Sequence, residues 1–169
     1  RYLESTSYCS ENGWFFSIPS NDDYAHAPWW SYDPEANTTE DIGLTLKLSG
    51  FILMNADKSS ALFNQALAFA DSIVQKLDKE NNFGETGIGG YCTLLDVIEK
   101  EAELKSHFDY PSLLDKVKNL VSASIERDSS KWIYYTRRPS DYIDSPESRF
   151  YKGNEDNIEK ELDFLIDTR

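Results

Sequence analysis

Two acids, an imidazole and a pair of indoles stand close together early in the chain. Asp22, Asp23 and His26 precede Trp29 and Trp30, and Asp33 and Glu35 follow. Carboxylates beside an imidazole can pass a proton, and an aromatic floor can stack on a sugar ring or shield a carbocation. The chemistry such a set would support is acid/base work on a carbohydrate or an isoprenoid. In that reading Asp22, Asp23 and His26 transfer the proton, while Trp14, Trp29, Trp30 and Trp132 form the binding surface. A plainer reading of the same residues has Trp29 and Trp30 anchoring the core. His26 then bonds a backbone group to hold the loop, and the acids cap helices or face water. Asp33-Pro34 is an instance of an acid that belongs to turn chemistry.

Other candidate groups carry less. His26 with Asp22 and Asp23 has no second histidine nearby, and His107 lies in a different connection, so no metal site and no cofactor are read. Arg137 and Arg138 follow an aromatic run and are candidates for holding an anion or a carboxylate. In so acidic a chain, a salt bridge from them to the first loop is the stronger expectation. The run from Gly84 to Gly90 is glycine-rich and precedes a helix. No lysine closes it and no strand leads into it, which makes it a tight hairpin entry rather than a phosphate cradle. Cys9 and Cys92 are the only cysteines and are expected to be reduced and structural, a single bridge being the alternative.

These residues need a fold to position them. The 169 residues suit one domain, and 40% hydrophobic with 14% aromatic residues is too much apolar surface for disorder. A net charge of -13 points away from nucleic acid and anionic membranes as partners. No apolar run is long enough to span a bilayer, and a cytoplasmic location is the default expectation.

Helical spacing dominates. Leu62, Ala66, Phe69, Ala70, Ile73 and Leu77 form one stripe; Tyr91, Leu94, Leu95, Ile98 and Ala102 form another, predicting a helix from Gly90 to about Lys105. Pro111 opens a helix that continues through Leu113, Leu114, Val117, Leu120, Val121 and Ile125. A last helix runs from near Asn154 through Ile158, Leu162, Leu165 and Ile166. Between Ile42 and Met54 the pattern is mixed. Alternation at Ile42, Leu44, Leu46 and Leu48 suggests a strand, but the unbroken run Phe51 to Met54 favours a helix buried on most sides. Gly43, Ser49 and Gly50 would then mark close approach of neighbouring helices. The result is an all-α chain with two long aromatic-rich loops, Trp14 to Thr39 and Lys131 to Gly153.

The two loops match each other. Trp14 through Pro19-Ser20 to Asp23-Tyr24 lies over Trp132 through Pro139-Ser140 to Asp141-Tyr142, with small shifts. Tyr2-Leu3-Glu4-Ser5-Thr6 likewise resembles Phe164-Leu165-Ile166-Asp167-Thr168. The chain, which has no initiator Met, is therefore expected to be a fragment cut within repeats.

A helix ending in an aromatic-Leu pair, followed by a Trp-opened loop before a helix pair, resembles the repeats of α/α toroids of the terpenoid cyclase and protein prenyltransferase type. Tyr24-Ala25-His26-Ala27-Pro28-Trp29-Trp30, with Leu48-Ser49-Gly50-Phe51-Ile52-Leu53 beyond it, is similar to a family of uncharacterised bacterial proteins of that architecture. The resemblance implies antiparallel helical hairpins in an arc of a toroid. It also implies a C-terminal fragment, residues 1–169 forming one helical domain whose partner is the missing N-terminal part of the same chain. The Asp-x-Asp-Asp acid motif of the cyclases is absent, Asn21-Asp22-Asp23 being the nearest stretch, and the prenyltransferase zinc set is not recognisable. Two function classes follow: a noncatalytic helical binding or scaffold protein, and an α/α-toroid enzyme acting on a carbohydrate or isoprenoid.

Overall fold

The computed structural model describes residue 3 and residues 7–79, 82–84 and 86–168. Among the described residues every regular element is helical, apart from one isolated antiparallel bridge between Cys9 and Trp14. The all-α expectation therefore holds. Contacts divide the chain into two compact units, Arg1–Leu113 and Leu114–Arg169. Most of the proposed match at Tyr2 to Thr6, and Glu85 in the glycine-rich run, lie outside the described residues.

The first unit is organised around a central helix. Two short 3-10 helices, Pro19–Asp23 and Pro28–Trp30, are followed by α1 (Ala36–Thr39), α2 (Asp41–Asn55), α3 (Ala61–Lys76), α4 (Gly87–Ile98) and α5 (Ala102–His107). The ambiguous segment is α2, which packs against both α3 and α4. Its helix, not a strand, follows from backbone satisfaction: a lone strand would leave buried N–H and C=O groups unpaired. Close approach needs small residues at the α2–α4 crossing. A Cβ on Gly90 would come within 2.9 Å of the Gly43 Cα, so the two glycines let the backbones nearly touch. Leu46, Ile52 and Leu53 of α2 are buried.

Ser60 caps α3, its Oγ accepting the Phe63 N–H at 3.1 Å. The buried face is Phe63, Ala66, Phe69, Ala70 and Ile73. Phe63 takes the place that the spacing assigned to Leu62, and Leu77 falls just past the helix end. The single helix expected from Gly90 to Lys105 is two helices. The backbone tightens at Lys100 and Glu101, whose N–H groups reach back three residues, and Glu101 is extended. The bend turns Leu104 and Phe108 inward and leaves Ala102 exposed. Lys58 reaches Glu103 at 2.9 Å and Glu101 at 3.4 Å across this turn. Hydrogen bonds to Glu103 first, and then to Glu101, hold its ammonium above the usual lysine range.

Helix α6 (Tyr110–Ser124) carries the predicted stripe, with Leu113, Val117, Val121 and Ile125 buried. Within the second unit the 3-10 helices Ser129–Lys131 and Pro139–Asp141 lead to α7 (Glu155–Asp167). Glu155 and Asp156 sit in its first turn, as the macrodipole favours. Its burial is inverted relative to the sequence pattern: Asn157 and Glu161 are buried, while Leu162, Leu165 and Ile166 are exposed. Glu161 faces inward because the Ser140 N–H and hydroxyl of the second loop donate to it.

Candidate functional site

The first loop is built outward from a buried tryptophan. Trp14 is 3% exposed, lies edge-on to Phe69 at 4.8 Å, and donates its backbone N–H to Thr45 Oγ1 at 3.0 Å. Gly13 makes this possible. Its φ is +155°, and a Cβ there would fall 2.3 Å from Thr45 Oγ1. Above this anchor Ser17 and Asn37 close the neck of the loop. The Asn37 amide accepts the Ser17 N–H at 2.7 Å and donates to the Ser17 carbonyl at 3.0 Å. The Ser17 hydroxyl meets the backbone of Asp33, donating to its C=O at 2.9 Å and accepting its N–H at 3.0 Å.

Beyond the neck, Pro19 and Pro28 each open a 3-10 helix, their fixed φ suiting a first helical position. Asn21 donates to the Trp30 carbonyl at 3.2 Å, and Asp22 Oδ1 accepts the Tyr32 N–H at 2.9 Å. His26 lies between these strands of the loop, with Nδ1 at 2.5 Å from the Tyr24 carbonyl and Nε2 at 3.1 Å from Ser31 Oγ. A carbonyl oxygen only accepts, so Nδ1 bears a proton. In the neutral ring Nε2 therefore accepts the Ser31 O–H; in the imidazolium it donates. Asp22 Oδ1, 3.5 Å from Nε2, then faces the added charge.

The expected cluster is thus partly assembled. Asp22 and His26 come together, but each is engaged with loop backbone, and Asp23 is exposed. Trp29 and Trp30 are not core anchors: they are 76% and 54% exposed, and Tyr24 is exposed beside them in sequence. Trp14, placed by the sequence on the binding surface, is instead a core residue. Trp132 is corrected in the same way, at 4% exposed. The reason is common to both: each indole fills a gap against a helix phenylalanine.

In the second unit Trp132 lies edge-on to Phe164 at 5.5 Å and donates Nε1–H to the Glu126 carbonyl at 2.7 Å. Arg137 contributes its carbonyl to the Glu126 N–H at 2.8 Å. Arg138, for which an acid of the first loop was the expected partner, has its Nε 3.7 Å from Glu161 Oε1 in α7. That carboxylate is 3% exposed and also accepts the Ser140 N–H at 2.8 Å and hydroxyl at 2.7 Å. Ile133, Tyr134 and Tyr135 are exposed at the loop tip. Two acids near this loop are held below the ordinary carboxylate range. For Asp128 the cause is first the Ser130 hydroxyl and then the Ser130 N–H; for Glu126 it is first the Asp128 N–H and then Lys131.

A cleft of about 320 Å³ lies in the first unit, and none of Asp22, Asp23, His26, Trp29 or Trp30 lines it. Phe15 and Tyr32 are half-buried in its wall, with Asn12, Asn37, Asp41 and Lys76 supplying polar groups. Sequence reasoning missed this site because its residues come from the segment before the first loop, the loop itself and the ends of α2 and α3. No local spacing joins them.

Cys9 and Cys92 are unbridged. Among the described residues no group of three or more His, Cys, Asp or Glu side chains is placed to hold a metal ion, and no helix is long and apolar enough to cross a membrane. Comparison with known proteins gives no matching family model, no similar curated protein and no similar solved structure.

Proposed function

We propose that the chain is a noncatalytic helical protein that binds carbohydrate through Tyr24, Trp29 and Trp30, on hairpins of the α/α-toroid type. The observation that carries this reading is the exposure of both indoles on a loop tied down by Asn21, Asp22, His26 and Ser17. Large rings held in water by a pre-ordered loop lose little conformational freedom when a sugar ring stacks on them. The polar rim of the loop suits hydroxyl groups.

Proton transfer is the weaker alternative. A general acid needs a free proton aimed at substrate, whereas Nδ1 and Nε2 of His26 are both engaged by the loop itself. An isoprenoid would want an enclosed apolar cavity, and the cleft of the first unit has amide, carboxylate and ammonium groups in its wall.

The test is a glycan array followed by titration calorimetry on the whole chain. Trp29→Ala and Trp30→Ala should each weaken binding of the selected glycan by about tenfold or more. His26→Ala should weaken it less, by loosening the loop. Unchanged affinity in both tryptophan variants would overturn the proposal. Hydrolysis of the glycan, abolished in His26→Ala, would replace it with the acid/base reading.

A further inference from the structure

We propose that the glycan held by Tyr24, Trp29 and Trp30 is a cationic one, a chain of amino sugars whose amines are free rather than acylated; this rests on the carbohydrate reading and names the charge of its ligand.

The first observation is the distribution of charge along the chain. Apart from Arg1, every lysine and arginine lies at or beyond Lys47. The loop that displays the indoles falls wholly within the stretch without them, and it carries Asp22, Asp23, Asp33 and Glu35. Among the described residues no lysine or arginine forms an ion pair with Asp22, Asp23 or Asp33. Asp22 and Asp33 accept neutral backbone N–H groups, of Tyr32 at 2.9 Å and of Glu35 at 2.8 Å, which leave their charge uncompensated. His26 Nε2 is 3.5 Å from Asp22, and an imidazolium there offsets one charge at most. Elsewhere acids do meet cations: Glu101 and Glu103 meet Lys58, Glu126 meets Lys131, and Glu161 meets Arg138.

The second observation is where the acids stand relative to the rings. Asn21 donates to the Trp30 carbonyl and Asp22 accepts the Tyr32 N–H, so successive residues of the first 3-10 helix hold the backbone on either side of Ser31. The Asp22 carboxylate therefore lies against the segment that carries Trp30. Its side chain is 53% exposed, and Asp23 beside it is exposed as well. Negative charge and open indole faces thus share one preformed surface.

That surface discriminates among glycans. A sugar ring stacked on an indole can bring an ammonium substituent over the π face and toward a carboxylate, and both contacts favour positive charge. A neutral sugar has the stacking alone. A uronic or sulfated glycan is repelled by the loop acids and by the net charge of -13. A basic peptide is attracted by the same field but lacks the flat ring face that the indoles stack on.

The test titrates the intact chain by calorimetry with a matched pair of β-linked glucosamine tetramers, one with free amines and one N-acetylated, at about pH 6, where an amine of α-amino basicity is protonated. At low salt the free-amine tetramer should bind at least about tenfold more tightly, and the gap should close as salt rises to about 0.5 M. Trp29→Ala should weaken both tetramers. Asp22→Asn with Asp23→Asn should remove most of the gap; the amide at position 22 can still accept the Tyr32 N–H, and an unchanged far-ultraviolet spectrum checks the fold. Removing two exposed charges from α7 instead, by Glu159→Gln with Asp163→Asn, should leave the gap in place. Equal affinity for the two tetramers would overturn this inference and leave the carbohydrate reading standing, whereas binding of neither would overturn both. A gap that survives in the Asp22 and Asp23 variant, or closes equally in the α7 variant, would also overturn it. So would a lysine tetramer bound as tightly as the amino-sugar tetramer, since net charge alone would then account for the attraction.

Discussion

In the first loop Trp14 meets Phe69 edge-on at 4.8 Å, and in the second Trp132 meets Phe164 edge-on at 5.5 Å. Each chain path then enters a 3-10 helix opened by Pro-Ser, at Pro19 and at Pro139. The two tryptophans thus do the same job, although half-buried Phe15 and Phe16 stand opposite exposed Ile133 and Tyr134 before the proline. Past it the loops part. Glu161, buried in α7, holds Ser140 by two hydrogen bonds, whereas the first loop is tied over its outer half by exposed groups, His26, Asp22 and Asn21. Both loops have a tryptophan anchor, and the second also has its Pro-Ser turn held by a buried helix carboxylate.

That comparison can be broken most directly at its shared part. Trp14→Ala and Trp132→Ala should each cost about 3–5 kcal/mol, the usual range for emptying a large aromatic site, measured by urea unfolding. Trp29→Ala should stay within about 0.5 kcal/mol in the same assay, since the ring is 76% exposed. An equal loss at Trp14 and Trp29 would erase the distinction between anchor and display. Next comes the buried acceptor. Glu161→Ala leaves the Ser140 donors and the Arg138 charge unpaired and should cost about 2–4 kcal/mol. His26→Ala, removing exposed bonds, should cost about 1 kcal/mol or less.

The smallest effect is a pH dependence. Asp128 and Glu126 are held below their ordinary values of 3.8 and 4.5 by hydrogen bonds from Ser130 and from the Asp128 N–H. A depressed folded-state value means the unfolded chain takes up protons first. The stabilisation is present above the ordinary carboxylate range and is lost as pH falls below it, through the lower folded values. Asp128→Asn with Glu126→Gln should flatten the acid limb of the Tm profile below about pH 4.5. A parallel limb in the double variant would show that these acids contribute nothing to the second loop.

Much of the first unit was legible without coordinates. The α3 stripe, the helix across Ile42 to Met54 and the close approach at Gly43 and Gly50 all follow from periodicity and residue size. The break between Ile98 and Ala102 was not, because Tyr91 to Ala102 keeps helical spacing across it. Only the inward turn of Leu104 and Phe108, with Lys58 spanning Glu101 and Glu103, selects a bend. In α7 the same rule of apolar-inward burial pointed to Leu162, Leu165 and Ile166, yet the buried face holds Asn157 and Glu161. Pattern reading assigns apolar groups inward by default and has no knowledge of donors brought from a distant loop.

The candidate site divides along the same line. Short-range chemistry placed Asp22, His26, Trp29 and Trp30 in one loop, since residues a few positions apart between prolines cannot separate far. That Trp14 packs inward, against Phe69 and Thr45, while Trp29 and Trp30 stand in water, and that both ring nitrogens of His26 are taken up by the loop, is decided by which partners the fold brings to each. The cleft that joins Phe15, Tyr32, Asp41 and Lys76 exists only once α2 and α3 have packed. Periodicity and composition act within a helix or a loop; exposure and pairing are properties of what arrives from elsewhere in the chain.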